Sequence, residues 1–254
     1  MLEFGAKSDT GRVRENNEDS FRLAPELNLF VLSDGMGGLE AGERASRLAV
    51  ETVIAHCQEA EGNPALAEFG KHIEGVSDIS NRLASAVRLA NKEIFKFALE
   101  QGKGGMGATI VAVRFVDDRL CIAHVGDSRV YLLREGQFDQ LTEDHSLVAE
   151  QVRRGIITPE AAGRSKMQNV LTRALGIDGN VEVDLSEESL EQGDVFLLCS
   201  DGLFRDLPAA RIQETLEKSS GAQIAANSLV NLANEAGGGD NITVIVVRYG
   251  TVPA

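Results

Sequence analysis

The stretch Thr109–Arg134, TIVAVRFVDDRLCIAHVGDSRVYLLR, decides the fold. It contains three apolar runs, near 109–116, 120–125 and 129–134. Asp117-Asp118 separates the first two, and Glu135-Gly136 follows the third; both pairs read as hairpin turns. No segment long enough for a helix lies between the runs, so these strands pair antiparallel. Similar runs rich in Val, Ile, Leu and Phe predict strands near 29–33, 181–186, 194–200 and 242–248.

Helical spacing appears outside these runs. In 41–58, Ala45, Leu48, Ala49, Thr52, Val53 and His56 form one stripe; in 79–100, Leu83, Val87, Ala90, Ile94 and Phe97 form another. Each marks a helix with one buried face. Two more helices are expected near 208–218 and 221–236. Antiparallel strands with helices gathered in pairs give a layered α+β domain. A sheet sandwich flanked by helices fits, although periodicity alone leaves the number of sheets open. Residues 146–175, broken by Gly155, Pro159 and Gly163, read as a small helical excursion at the rim.

The chain has 254 residues, without a proline- or serine-rich linker, low-complexity tract or fixed-period repeat. One domain over 1–254 is favoured. The formal charge of −14 argues against a nucleic-acid phosphate grip and against anionic membranes. Most of these charges read simply as a solvated surface. Cys57, Cys121 and Cys199 lie far apart in apolar stretches, which suggests buried free thiols in a reducing compartment. The N-terminal residues do not read as a signal peptide, and no apolar stretch nears the roughly 18 residues of a membrane helix. The expected location is the cytoplasm.

Aspartates recur at the strand mouths: Asp34 in LFVLSDGMGG, Asp127 in CIAHVGDSR, Asp201 in VFLLCSDG and Asp240 in GGGDNITVIVV. One Asp-Gly pair alone is an ordinary turn. Repetition at four strand ends points instead to a converging acidic cluster. Two carboxylates about 5 Å apart repel by roughly 3 kcal/mol at an effective dielectric of 20, so four of them approach ~20 kcal/mol unscreened. Either some groups are protonated or cations sit among them, and the polar, glycine-rich surroundings favour cations. An all-oxygen ligand set selects hard ions such as Mg²⁺ or Mn²⁺ over Zn²⁺. His124, inside an apolar run, reads as a satisfied core residue. In Arg14-Glu15-Asn16-Asn17-Glu18-Asp19, an arginine able to fork onto phosphate oxygens sits beside acids able to hold metal-bound water; the bland alternative is a charged loop.

RENNEDS, SDGMGGLEAGERAS, GMGATIVAV, HVGDSRVY, LTEDHS, LTRALG, LLCSDGLF and GGGDNITV occur in this order. Together they resemble the metal-dependent serine/threonine protein phosphatases of type 2C in their compact bacterial form, from about Gly5 to Val247. The resemblance implies a four-layer α-β-β-α sandwich of two antiparallel sheets flanked by helix pairs, with the flap near 146–170. It implies that Asp34 bridges two Mn²⁺ or Mg²⁺ ions and that the Gly35 carbonyl joins one of them. Asp201 and Asp240 would complete the other site, and Asp127 with Asp201 would hold a possible third ion. Asp19 would orient metal-bound water, Asn241 would brace the Asp240 loop, and Arg14 would bind substrate phosphate.

The implied reaction is hydrolysis of phosphoserine and phosphothreonine in proteins by direct attack of a metal-bridging hydroxide. An opposing serine/threonine kinase is the implied partner, and the chain is expected to be a monomer. Met36 and Leu39 stand where relatives carry a histidine considered as proton donor. That leaves a metal-bound water or a histidine such as His145, itself better read as structural. Arg164-Ser165-Lys166 replaces a histidine and proline frequent in the flap. The alternatives are a catalytically weak phosphoprotein-binding module and a two-metal phosphodiesterase or nuclease.

Overall fold

The computed structural model describes residues 1–37, 40–63, 66, 68–102 and 105–250. Its strands are β1 (Leu2–Asp9), β2 (Asp19–Ala24), β3 (Leu29–Met36), β4 (Gly107–Ala108), β5 (Ile110–Val116), β6 (Arg119–Val125), β7 (Arg129–Arg134), β8 (Gln137–Gln140), β9 (Asp184–Ser189), β10 (Val195–Cys199) and β11 (Ile242–Tyr249). Its helices are α1 (Glu40–Gly62), α2 (Asp78–Glu100), α3 (Leu147–Arg153), α4 (Pro159–Ala162), α5 (Asp201–Asp206), α6 (Ala209–Lys218) and α7 (Ala222–Ala236).

Two sheets form, ordered β1-β11-β10-β7-β8 and β2-β3-β5-β6-β9, with β4 beside β3. Every strand pair is antiparallel. The two expected hairpins close as two-residue turns, Val116 facing Arg119 and Arg134 facing Gln137. Asp117 and Glu135 take φ of 53° and 51°, the left-handed conformation such turns require.

Strand alternation sorts the core into layers. In β3, Leu29 and Val31 face α1 and α2, whereas Phe30 and Leu32 face the other sheet. In β11, Val244 and Val246 pack under α6 and α7, whereas Ile245 and Val247 meet Phe30, Val111 and Phe196 between the sheets. The result is the four-layer α-β-β-α sandwich.

Some elements differ from expectation. β1, β2, β4 and β8 lie outside the predicted strands, and α5 lies outside the predicted helices. β9 begins at Asp184 rather than 181, because pairing starts where His124 of β6 faces Asp184; Val181 and Val183 pack against the α1–α2 core ahead of that ladder. The 146–175 excursion holds α3 and α4, capped by the hydroxyls of Ser146 and Thr158, and neither helix contributes a fully buried residue. A bridge between Ser146 and Leu171 pins its base. Among the described residues no helix is long and apolar enough to cross a membrane. The cysteines are free and buried, and burial pushes the thiols of Cys57 and Cys199 up to about 11 and about 12.

Candidate metal centre

Antiparallel pairing gathers the aspartates at one end of the sandwich. β3 ends where β2 begins, which sets Asp34 opposite Asp19. β10 ends where β11 begins, so Asp201 at the start of α5 comes beside Asp240, with Ser200 accepting nothing from solvent in between: it is wholly buried. The β6–β7 connection brings Asp127 to the same end. A cleft of about 360 Å³ is lined by Arg14, Asp34, Gly35, Asp127, Asp201 and Asp240, with Asn241 beside them. Asp19 stands behind this lining, buried, and its charge reaches Asp34, Asp201 and Asp240.

Hydrogen bonds fix the cluster from beneath. Thr109 accepts from the Asp34 amide through Oγ1 (3.0 Å), and its own amide donates to the Asp34 carbonyl (2.8 Å). The Ser200 hydroxyl donates to Asp19 Oδ2 (2.8 Å) and accepts from the Thr243 amide (2.9 Å). Asn241 accepts from the Glu18 amide (2.8 Å) and donates to the carbonyls of Thr10 and Asn16 (both 2.9 Å), tying the Asp240 loop to the N-terminal motif. Gly35 leaves no room for a side chain, since a Cβ there would lie 2.0 Å from the Gly42 carbonyl oxygen.

The bare cluster is electrostatically strained. Burial, then the charges of Asp19, Asp201, Asp127 and Asp240, hold the Asp34 carboxyl well above the usual range. Burial chiefly pushes Asp19 up to about 7 against hydroxyl hydrogen bonds from Thr243 and Ser200. Burial and the charges of Asp201 and Asp144 push Asp127 up to about 8. Asp201 rises to about 6 through burial, although Arg205 pulls it down. Two buried oxygens, Asp19 Oδ1 and Asp201 Oδ1, have no hydrogen-bond partner. Crowded, orphaned carboxylate oxygens with an all-oxygen donor set fit hard divalent cations.

Arg14 donates to Asp240 Oδ2 at 2.8 Å and is half exposed at the cleft mouth. Arg205, missed by sequence reasoning, also lines the cleft and pairs with both Asp201 and Asp240. Its signal was hidden, because Arg205 shares a face with Asp201 only through α5, a helix the sequence does not predict. Thr109 and Ser200 were missed because their role is visible only through contacts distant in sequence. From the flap, Asn169 and Leu171 reach the cleft, whereas Arg164, Ser165 and Lys166 do not line it.

The described residues lining the cleft include Met36 but no histidine; Leu39 lies outside the described residues. His145 is buried outside the cleft: its Nδ1 accepts from the Gly126 amide (3.0 Å) and its Nε2 faces Asp184 Oδ2 at 3.0 Å. It holds the Gly126-Asp127 turn in place. His124 is a core residue as expected, but it is not satisfied: neither ring nitrogen has a partner. His124, His145 and Asp184 cluster closely enough to suggest ligands. With both His145 nitrogens engaged, the trio is a packing and hydrogen-bond cluster, separate from the acidic cleft.

Residues 11–234 match the family described as protein phosphatase 2C. The chain is 38% identical to the serine/threonine phosphatase stp of Listeria innocua, over 95% of this chain and 94% of that one. Its fold is similar to the crystal structure of the Mycobacterium tuberculosis serine/threonine phosphatase PstP/Ppp, at a TM-score of 0.84 and 39% identity, covering 97% and 98% of the two chains. It is also similar to the catalytic domain of the serine threonine protein phosphatase PstP in complex with two manganese ions, at a TM-score of 0.81 and 38% identity, covering 97% of each chain.

Proposed function

The chain belongs to the protein phosphatase 2C family, and we propose from its site how it works as a metal-dependent serine/threonine protein phosphatase. The observation that carries this reading is the convergence of Asp34, Asp127, Asp201 and Asp240 with Arg14 in one cleft, Asp19 behind them. Asp34, the Gly35 carbonyl, Asp201 and Asp240 are the groups that would hold two divalent ions. Asp127 with Asp201 would hold a third ion. When bound, Mn²⁺ or Mg²⁺ ions acidify a water molecule and polarise the phosphoryl oxygens.

The chain's own residues supply the rest. Arg14, planar and forked, holds the phosphate oxygens and stabilises the charge that spreads over them in the transition state. Asp19, held by Ser200 on one oxygen and unpartnered on the other, orients water through that free acceptor. The thiols of Cys57 and Cys199, buried and pushed up, take no part. The described residues lining the cleft include no histidine, which supports water as the group that protonates the departing alkoxide.

The whole of 1–254 is proposed as one catalytic domain, monomeric and cytoplasmic, acting on phosphorylated proteins and opposing a serine/threonine kinase. The motifs, the fold likeness and the cleft chemistry support the activity; composition supports the location. Purified protein incubated with Mn²⁺ and a panel of phosphoserine, phosphothreonine and phosphotyrosine peptides tests this. Phosphate release from the first two, abolished by chelator, is expected. Metal-dependent peptide binding without release would favour a phosphoprotein-binding module instead.

A further inference from the structure

Arg205 sits where a cation would. It follows Asp201 by four residues in α5, so both side chains project from one helix face toward the cleft. One guanidinium nitrogen contacts Asp201 Oδ2, and the other lies 3.3 Å from Asp240 Oδ2. One side chain thus bridges two carboxylates from different elements. Arg14 donates at 2.8 Å to the same Asp240 oxygen. Arg129, the nearby alternative, is committed: it forks onto Asp144 through Nε and Nη2 and stacks over Phe204. Among the described residues lining the cleft, Arg14 and Arg205 are the only cations.

We propose that Arg205 is a second phosphate-binding arginine, held by Asp201 and Asp240 until divalent metal displaces it. This rests on the phosphatase reading above. Asp201 and Asp240 cannot give the same Oδ2 lone pairs fully to a guanidinium and to a dication. A dication close to a guanidinium repels it about twice as strongly as a unit charge would at the same distance. The arginine therefore leaves those oxygens as metal arrives, and the two binding events oppose each other reciprocally. Released, Arg205 shares the cleft with Arg14. Two guanidinium groups that meet at one carboxylate oxygen are spaced to grip different oxygens of one phosphoryl group.

Calorimetry on the chelator-stripped full chain tests this with Mn²⁺ and then inorganic phosphate as titrants, comparing wild type with Arg205→Gln and Arg205→Lys. Arg205→Gln should bind Mn²⁺ about tenfold more tightly, because the competing cation is gone. Once Mn²⁺-saturated, it should bind phosphate about tenfold more weakly and raise KM for a phosphopeptide more than it lowers kcat. Arg205→Lys should fall between. Thermal unfolding of the Mn²⁺-loaded variants establishes that each is folded. Unchanged or weaker Mn²⁺ binding by Arg205→Gln overturns the proposal, as does unchanged phosphate affinity. A wild-type chain that bound no Mn²⁺ would overturn both this proposal and the phosphatase reading, whereas the other two results leave that reading intact.

Discussion

Asp19 and Asp34 face each other directly across the β2–β3 pair. Their charges are therefore locked together by the sheet register, and neither can move away without breaking strand pairing. Ser200 steadies one oxygen of Asp19 and leaves the other unpartnered, while Thr109 grips the main chain of Asp34 on both sides. The fold holds its acids in a fixed arrangement that is costly when bare and favourable when cations are present.

That arrangement sets a pH dependence. Asp19, Asp34, Asp127 and Asp201 all bind protons more tightly in the folded chain than in the unfolded one. Between the unfolded value near 4 and the folded value of about 8 for Asp127, the folded state carries the extra protons, so stability falls as pH rises. Chelator-treated protein should therefore lose Tm from pH 5 to pH 8, at about 2–4 °C per kcal/mol for a chain of this size. Saturating Mn²⁺ should flatten or reverse the trend. Calorimetric scans across this range check it; a chelated protein whose Tm rose with pH would contradict it.

Asp34→Asn separates stability from activity. Amide for carboxylate removes the most strongly crowded charge while keeping the shape. The metal-free variant should melt several degrees above metal-free wild type, and its turnover of a phosphothreonine peptide should drop on the order of 10³-fold. A metal-free Asp34→Asn protein that melted lower would show that repulsion at this position is not the dominant strain.

Ser200→Ala tests the bracing beneath the cluster. It strips a donor from buried Asp19 and an acceptor from the Thr243 amide. Leaving both unpaired should cost about 2–4 kcal/mol. Urea unfolding of the Mn²⁺-loaded variant measures this, and Mn²⁺ affinity should weaken in parallel. A cost under about 0.5 kcal/mol, the range of an ordinary surface substitution, would remove Ser200 from the account.

His124→Leu should go the other way. Burial pushes this imidazole down to about 3, so it is neutral, yet both its nitrogens are buried without partners. Exchanging an unsatisfied polar ring for an apolar side chain of similar reach should leave Tm equal or higher, with activity unchanged. A large fall in Tm would mean that the tilted ring contact of His124 with His145, centroids 4.6 Å apart, outweighs the unsatisfied nitrogens.

Much of this was legible in the chain. The apolar runs flanking Asp117-Asp118 gave the antiparallel core, and acid-ended strands such as LFVLSDG and VFLLCSDG placed the cluster. β1 carries a readable signal too: Leu2, Phe4 and Ala6, which pack toward the inter-sheet core, alternate with Glu3, Gly5 and Lys7. β8 is short and largely exposed, so hydrophobic patterning hardly marks it. Contacts such as Ser200 to Asp19 and Arg205 to Asp240 join residues remote in sequence, and only the folded register creates them.

The most direct test of the acidic cage is diffraction from crystals grown in Mn²⁺, with data collected at the manganese absorption edge. Two strong anomalous peaks are expected in the cleft, both within ligand distance of Asp34, and one of them also bounded by Asp201 and Asp240. A cleft without anomalous density, its carboxylates turned away from one another, would contradict it.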